Sequence, residues 1–194
     1  DIINTVSSIA RGYMENRDLN FYVSREELKN PYVMADELRI REVLLNIISN
    51  AVKFTKDGGT ISFVAENCPG KDEHHLIVRY HISDTGIGMS EEFQTRIFDE
   101  FSQENNGART SYKGTGLGMA IAKQYVDLMG GKIEVSSRQG VGSAFTVEIP
   151  LLIAEHVLTE EKEKLRKDMD LHGLHVLLAE DNDLNAEIAK TILE

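Results

Sequence analysis

The sequence predicts a two-layer α/β sandwich of the α+β kind, a mixed sheet on one side and three helices on the other. Three observations carry that expectation. Apolar residues recur at helical spacing over 2–14, 37–54 and 117–129. Strand-like runs fill 60–83 and 132–149. Apolar residues make up 41% of the 194-residue chain, enough to fill a core between two such layers.

Along the chain, Ile2, Val6, Ile9 and Tyr13 mark an amphipathic opening helix. Leu19, Phe21 and Val23 alternate as a strand, and 31–34 forms a second short one. Asp36 is a suitable N-cap for the helix over 37–54, which Asp57-Gly58-Gly59 breaks. Strands at 60–65 and 75–83 follow, joined by a loop holding Cys68-Pro69-Gly70. A short helix is expected at 91–101. The polar stretch 102–113, with Asn105-Asn106-Gly107, is expected to be a mobile lid. The helix over 117–129 ends at Gly130-Gly131, a C-terminal cap. A hairpin of 132–136 and 144–149 turns at Gln139-Gly140-Val141-Gly142, and Pro150 closes the domain. The expected organisation is a domain over 1–152, a charged linker over 153–172, and a separate short segment over 173–194 whose 174–179 strand ends in Glu180-Asp181.

Charge excludes some classes. Lys and Arg total 21 against 32 Asp and Glu, a net charge of −11. Phosphate neutralisation needs clustered basic residues, so neither nucleic acid nor direct membrane contact is expected. No run of about 18 apolar residues is present to span a bilayer. One cysteine cannot form an internal disulfide and fits a reducing compartment, so the expected location is cytoplasmic. The chain opens at Asp1 without Met or a signal-peptide pattern, and is expected to be a piece of a longer protein.

The 37–54 helix is unusual. Arg39, Glu42, Asn46, Ser49, Asn50 and Lys53 share one arc of the helical wheel, and apolar residues fill the rest. A solvated stripe is cheaply built from Glu, Lys and Gln, whereas each Asn costs about 0.5 kcal/mol against Ala. Two asparagines one turn apart, with Lys53 following, present amide oxygens suited to Mg²⁺ and an ammonium suited to phosphate. Two glycine clusters add to this. Asp84-Thr85-Gly86-Ile87-Gly88-Met89 follows a strand; it is either an ordinary turn or a place where Asp84 accepts from an adenine amine and the glycines admit the base. Gly114-Thr115-Gly116-Leu117-Gly118 opens a helix, where free N–H groups face an anion or merely turn the chain. It is neither a Walker loop nor a dinucleotide fingerprint.

Together these segments resemble the catalytic ATP-binding domain of sensor histidine kinases, within the larger family of gyrase, Hsp90 and MutL ATPases. NIISNAVKFT is similar to the N box, DTGIGM to the first glycine box, IFDEFSQ to the F box, and GTGLGMAIAKQYVDLMGG to the second glycine box with its helix. All four stand in family order over residues 1–150. The tail HVLLAEDNDLNAEIAKTILE resembles the beginning of a receiver domain, so the parent resembles a hybrid histidine kinase.

The resemblance implies a Bergerat-type fold, ATP and Mg²⁺ as cofactors, and these roles. Asn50 ligates Mg²⁺, Asn46 assists metal or phosphates, and Lys53 contacts phosphate. Asp84 reads adenine with Gly86 and Gly88 beside the base. Phe98 and Phe101 anchor the lid, and Gly114, Thr115, Gly116, Leu117 and Gly118 border the triphosphate. Two departures from the family stand out. Lys113 replaces a frequent Gly, as a phosphate contact or an exposed lid charge, and Met119 replaces a frequent Leu.

Hydrolytic relatives carry glutamate at the position of Asn46, and an amide cannot take a proton from water. The implied activity is therefore phosphotransfer to a histidine on a dimerisation domain, with a response regulator or receiver downstream. The alternative is an ATP-dependent conformational module of the clamp type. The phosphoacceptor histidine context is absent, the receiver tail is too short to work as one, and Glu180 and Asp181 match only its acidic corner. Arg96 and Arg109 read as solvated surface charges ahead of γ-phosphate contacts, and the histidines show no metal-ligand spacing.

Overall fold

The computed structural model describes residues 2–25, 32–104 and 115–154. The chain divides into two units, Asp1–Ala154 and Glu155–Glu194, and all described residues belong to the first. Their order is α1 (Ile2–Tyr13), β1 (Asn20–Arg25), β2 (Val33–Met34), α2 (Glu37–Phe54), β3 (Thr60–Pro69), β4 (His75–Asp84), α3 (Glu91–Gln94), α4 (Gly118–Leu128), β5 (Lys132–Arg138) and β6 (Gly142–Ile153). The six strands make one sheet in the order β1-β3-β4-β6-β2, with β5 also on β6. β1 runs parallel to β3, and the other pairings are antiparallel. The expected mixed sheet is present.

Alternation sorts the strands into a wet face and a dry one. Register aligns Phe63 with Ile82 and Ile82 with Phe145, and Ala65 with Tyr80 and Tyr80 with Val147. All six are buried. They share a continuous core with Val6 and Ala10 of α1, Ile40, Leu44 and Ile47 of α2, and Ala122 and Val126 of α4. On the other face a charged row crosses the strands, Arg79 bonding Glu66 at 2.7 Å and Glu148 at 2.8 Å. Among the described residues, no helix is long and apolar enough to cross a membrane.

Three local expectations change. β3 continues to Pro69, so Cys68 and Pro69 sit in a strand rather than a loop, paired with Ile77 and Leu76. β6 runs through Pro150 to Ile153. Proline is tolerated there because β5 has ended at Lys132↔Glu148 and β2 begins only at Met34↔Leu152; between them that edge of β6 asks for no donor. The helix expected over 91–101 is only Glu91–Gln94. Beyond it, i→i+3 bonds from Arg96 to Phe93, Asp99 to Arg96 and Ser102 to Asp99 wind the chain in tight turns.

α2 positions most of the site, and both its ends are held. Asp36 accepts from the Arg39 N–H at 3.1 Å, the expected cap. At the other end Arg17, from the loop after α1, donates to the carbonyls of Val52 at 3.1 Å and Thr55 at 2.7 Å. It also pairs with Asp57 at 2.8 Å. One guanidinium thus satisfies carbonyls left open at a helix C-terminus and sets a cation against the negative end of its dipole. Arg17→Ala is expected to lower unfolding free energy by about 1.5–3 kcal/mol, the range for hydrogen bonds to a charged group. Arg17→Lys should recover only part of it, lacking the planar fork. Denaturant midpoints for the three proteins check this, and an unchanged midpoint for Arg17→Ala would show the cap to be idle.

Candidate functional site

A cavity of about 520 Å³ opens between α2, the segment after β4, and the start of α4. Its polar lining comes first from α2, where Asn46, Ser49, Asn50 and Lys53 all reach it. They do so because the apolar remainder of the helix, Ile40 to Val52, is buried, which leaves the narrow stripe facing the cavity. Ser49 turns its hydroxyl back onto the Asn46 carbonyl at 3.1 Å. The Lys53 ammonium stands 4.9 Å from the centre of the Phe54 ring, a cation–π contact at the cavity wall. From α4, a β-carbon on Gly118 would lie 3.1 Å from the Asn46 amide oxygen. The two boxes therefore meet at Asn46.

Asp84, the last residue of β4, lines the same cavity. Its carboxyl accepts the Gly86 N–H at 2.8 Å and the Ser143 N–H from the start of β6. Burial dominates these bonds and pushes the carboxyl above the ordinary aspartate value of 3.8. Thr85 is also tied down, its hydroxyl accepting the Thr60 N–H at 2.9 Å.

The glycines of this segment have neighbours of their own. A β-carbon on Gly86 would meet the Phe54 carbonyl oxygen at 2.6 Å, and one on Gly88 the Arg138 carbonyl oxygen at 1.9 Å. Gly88 also has φ +63°, a conformation that glycine alone adopts without strain. Both were expected beside a base. Gly88 lines the cavity and Gly86 does not, and the space each leaves is filled by protein main chain.

The other expected residues divide. Thr115, Gly116 and Gly118 line the cavity. Leu117 caps α4 without lining it. Lys113, Gly114, Arg109 and most of the expected lid lie outside the described residues. Phe98 packs against the core, and Phe101 is 68% exposed with φ 60°; neither lines the cavity. Arg96 pairs with Glu92 at 3.3 Å. Sequence reasoning missed the apolar lining, Met89, Phe93, Ile97 and Phe145, together with Glu104 and Ser143. Among the described residues no cluster of three His, Cys, Asp or Glu could hold a metal by itself.

Residues 35–153 match the model of the family described as histidine kinase-, DNA gyrase B- and HSP90-like ATPases. The chain belongs to that family. Among curated members it is 36% identical, over 98% of its length, to the autoinducer 2 sensor kinase/phosphatase LuxQ of Vibrio parahaemolyticus, of which it covers 22%. It is 40% identical over 82% of its length to the circadian input-output histidine kinase CikA of Synechococcus elongatus, covering 20% of it. To the sensory/regulatory protein RpfC of Xanthomonas campestris it is 30% identical over its whole length, covering 30% of that protein. The chain therefore spans less than a third of each of these relatives.

Solved structures of the family agree. The nucleotide-free catalytic domain of histidine kinase ThkA superposes with a TM-score of 0.63 at 28% identity, over 77% of this chain and 90% of that one. Full-length ShkA in complex with AMPPNP gives 0.63 at 30%, over 79% of this chain and 30% of that one.

The close approach at Gly88 is checkable. Gly88→Ala combines a left-handed strain of about 1–2 kcal/mol with a clash against main chain of about 1–3 kcal/mol. Gly140→Ala, at φ +77° with nothing within 4 Å of a β-carbon, should show only the strain. Denaturation of the two variants side by side tests the difference, and equal losses would mean that the Arg138 contact imposes nothing.

Proposed function

We propose that the chain is the ATP-binding catalytic domain of a hybrid sensor histidine kinase, which transfers the γ-phosphoryl of Mg-ATP to a histidine on a dimerisation domain of the same parent. The observation that carries this is the pairing of Asn46 and Asn50, neutral amides on one α2 stripe, with the half-buried Asp84 in a single cavity. A carboxylate oriented by two main-chain donors is fitted to accept from the exocyclic amine of adenine. Amide oxygens without added charge suit a Mg²⁺ that is shared with phosphates rather than caged by protein carboxylates, and Asn50, with Asn46, would hold it. Bound there, the ion would neutralise charge on the triphosphate. Lys53, Thr115, Gly116 and Gly118 border the same space and would hold the phosphates.

In the reaction an imidazole nitrogen of the acceptor attacks the γ-phosphorus as the bond to the β,γ-bridging oxygen breaks, and ADP leaves with that electron pair. The chain's part is to hold the triphosphate and keep water from competing. Asn46, on the α2 stripe that lines the cavity, is an amide and cannot take a proton from water. This favours transfer over a clamp-type ATPase cycle. The domain divisions 1–152, 153–172 and 173–194 accompany this reading, with the last as the start of a receiver. The match to LuxQ, reaching 98% of the chain, supports a tail that continues as in such proteins. A response regulator or receiver is the downstream partner, and a domain drawing on cellular ATP works in the cytoplasm.

The test is incubation of the full chain with γ-labelled ATP, Mg²⁺ and the purified dimerisation domain of its parent. Label should reach that domain's histidine and not the chain itself; steady phosphate release without transfer would favour the clamp. Two variants should fail differently. Asp84→Asn should weaken ATP and ADP alike, by about ten- to hundredfold for one charge-assisted hydrogen bond. Asn50→Asp should keep ADP affinity and lose transfer, since it adds charge beside the triphosphate. Calorimetry with ADP against the transfer assay separates them.

A pH dependence follows from the raised Asp84 carboxyl. The base binds the ionised form, so affinity is complete above the carboxyl's own pKa and falls as pH drops through it. That fall should begin at higher pH than an ordinary aspartate allows, and should be missing from the residual ADP binding of Asp84→Asn. ADP titrations at stepped pH supply the measurement.

A further inference from the structure

The edge of β5 that faces away from β6 ends against a side chain rather than a strand. Gln94, the last residue of α3, accepts the Ser137 N–H on its Oε1 at 2.9 Å and donates from Nε2 to the Ser137 carbonyl at 3.0 Å. One amide thus copies the two-bond exchange that a neighbouring strand would make. The same Nε2 reaches the carbonyls of Met89 at 3.4 Å and Ser90 at 3.3 Å. Ser137 returns the contact, its hydroxyl accepting the Met89 N–H at 2.8 Å and donating to the Gly142 carbonyl at 2.9 Å. That hydroxyl also lies 3.0 Å from the Ser143 hydroxyl. Both main-chain groups of Met89 are therefore held by these two residues, neither of which lines the cavity, while the Met89 and Phe93 side chains do.

We propose that Gln94 and Ser137 are positioning residues of the nucleotide site. They lock the segment that follows Asp84 onto the β5–β6 hairpin and so fix the Met89–Phe93 wall against which the base packs. The proposal rests on the reading of the cavity as an ATP site. Ser137 also joins the two walls through one hydroxyl, because Ser143 supplies the N–H that orients Asp84. The clamp acts on the purine end and leaves the α2 stripe alone, so its loss should be felt equally by every adenine nucleotide whatever its phosphate count.

The experiment uses the full chain and variants Gln94→Leu, Gln94→Glu, Ser137→Ala and Ser137→Thr, titrated calorimetrically with ATP, ADP and AMP. Gln94→Leu and Ser137→Ala should each weaken all three nucleotides by about tenfold, the worth of one or two part-buried hydrogen bonds. Gln94→Glu keeps an acceptor for the Ser137 N–H but faces the three carbonyls with charge, and should lose at least as much. Ser137→Thr keeps the hydroxyl and should bind within about threefold of the wild type. Amide exchange at Met89 should speed up in Ser137→Ala and be restored in Ser137→Thr. Variants that melt earlier yet bind with wild-type affinity while folded would overturn the inference, as would a loss confined to ATP. A wild-type chain that binds none of the three nucleotides would instead overturn the ATP reading, and this inference with it.

Discussion

Seven side chains of α2, from Ile40 to Val52, are buried against the sheet and the neighbouring helices, and that burial fixes the helix's rotation about its own axis. A rotation by one residue, about 100°, that put Asn46 in the place of Ile47 would carry it into the core and turn Leu45 into the cavity. The core cannot accept that change, because an unsatisfied buried amide costs about 1–3 kcal/mol and Leu45, which packs against the core, would lose that contact as well. Arg17 and Asp36 hold the two ends axially. Packing sets the angle, the caps set the height, and the polar stripe has one place left to go.

The second constraint is thickness. The stretch from Asp84 to Ser90 is squeezed between the end of α2, where Phe54 accepts the Ile87 N–H at 3.2 Å, and the β5–β6 turn, where Gly140 donates to the Ile87 carbonyl at 2.9 Å. Gly142 completes the fit, since a β-carbon there would meet the Asp84 carbonyl oxygen at 1.9 Å. Main chain touches main chain on both sides, and the glycines record that contact more directly than they record a ligand.

Much of this was readable beforehand. Period and cap placed α2, and asparagine in a helix interior, a poor choice for a solvated face, singled out Asn46 and Asn50. Asp84 stood out because a carboxylate followed by glycines ends a strand. The apolar lining was hidden for a physical reason: Met89, Phe93 and Phe145 are spaced like core residues, and only tertiary packing decides whether such a side chain meets protein or a cavity. Phe98 and Phe101 illustrate the reverse, being assigned by resemblance to a site whose described lining excludes them. Pro150 misled because its cost depends on which neighbouring strand is missing, and α3 because its last side chain bonds a strand that lies far along the chain.

Assembly of the cavity is tied to a distant pairing. The β3–β4 and β5–β6 hairpins close locally, but Asp84 meets Ser143 only where β4 lies against β6, and contacts so separated in sequence close late because loop entropy opposes them first. A chain with both hairpins formed and β4 not yet joined to β6 would carry every recognisable motif and no site. Ligand binding then reports completed folding, and any nucleotide held by the native state alone draws partly folded chains toward it by mass action.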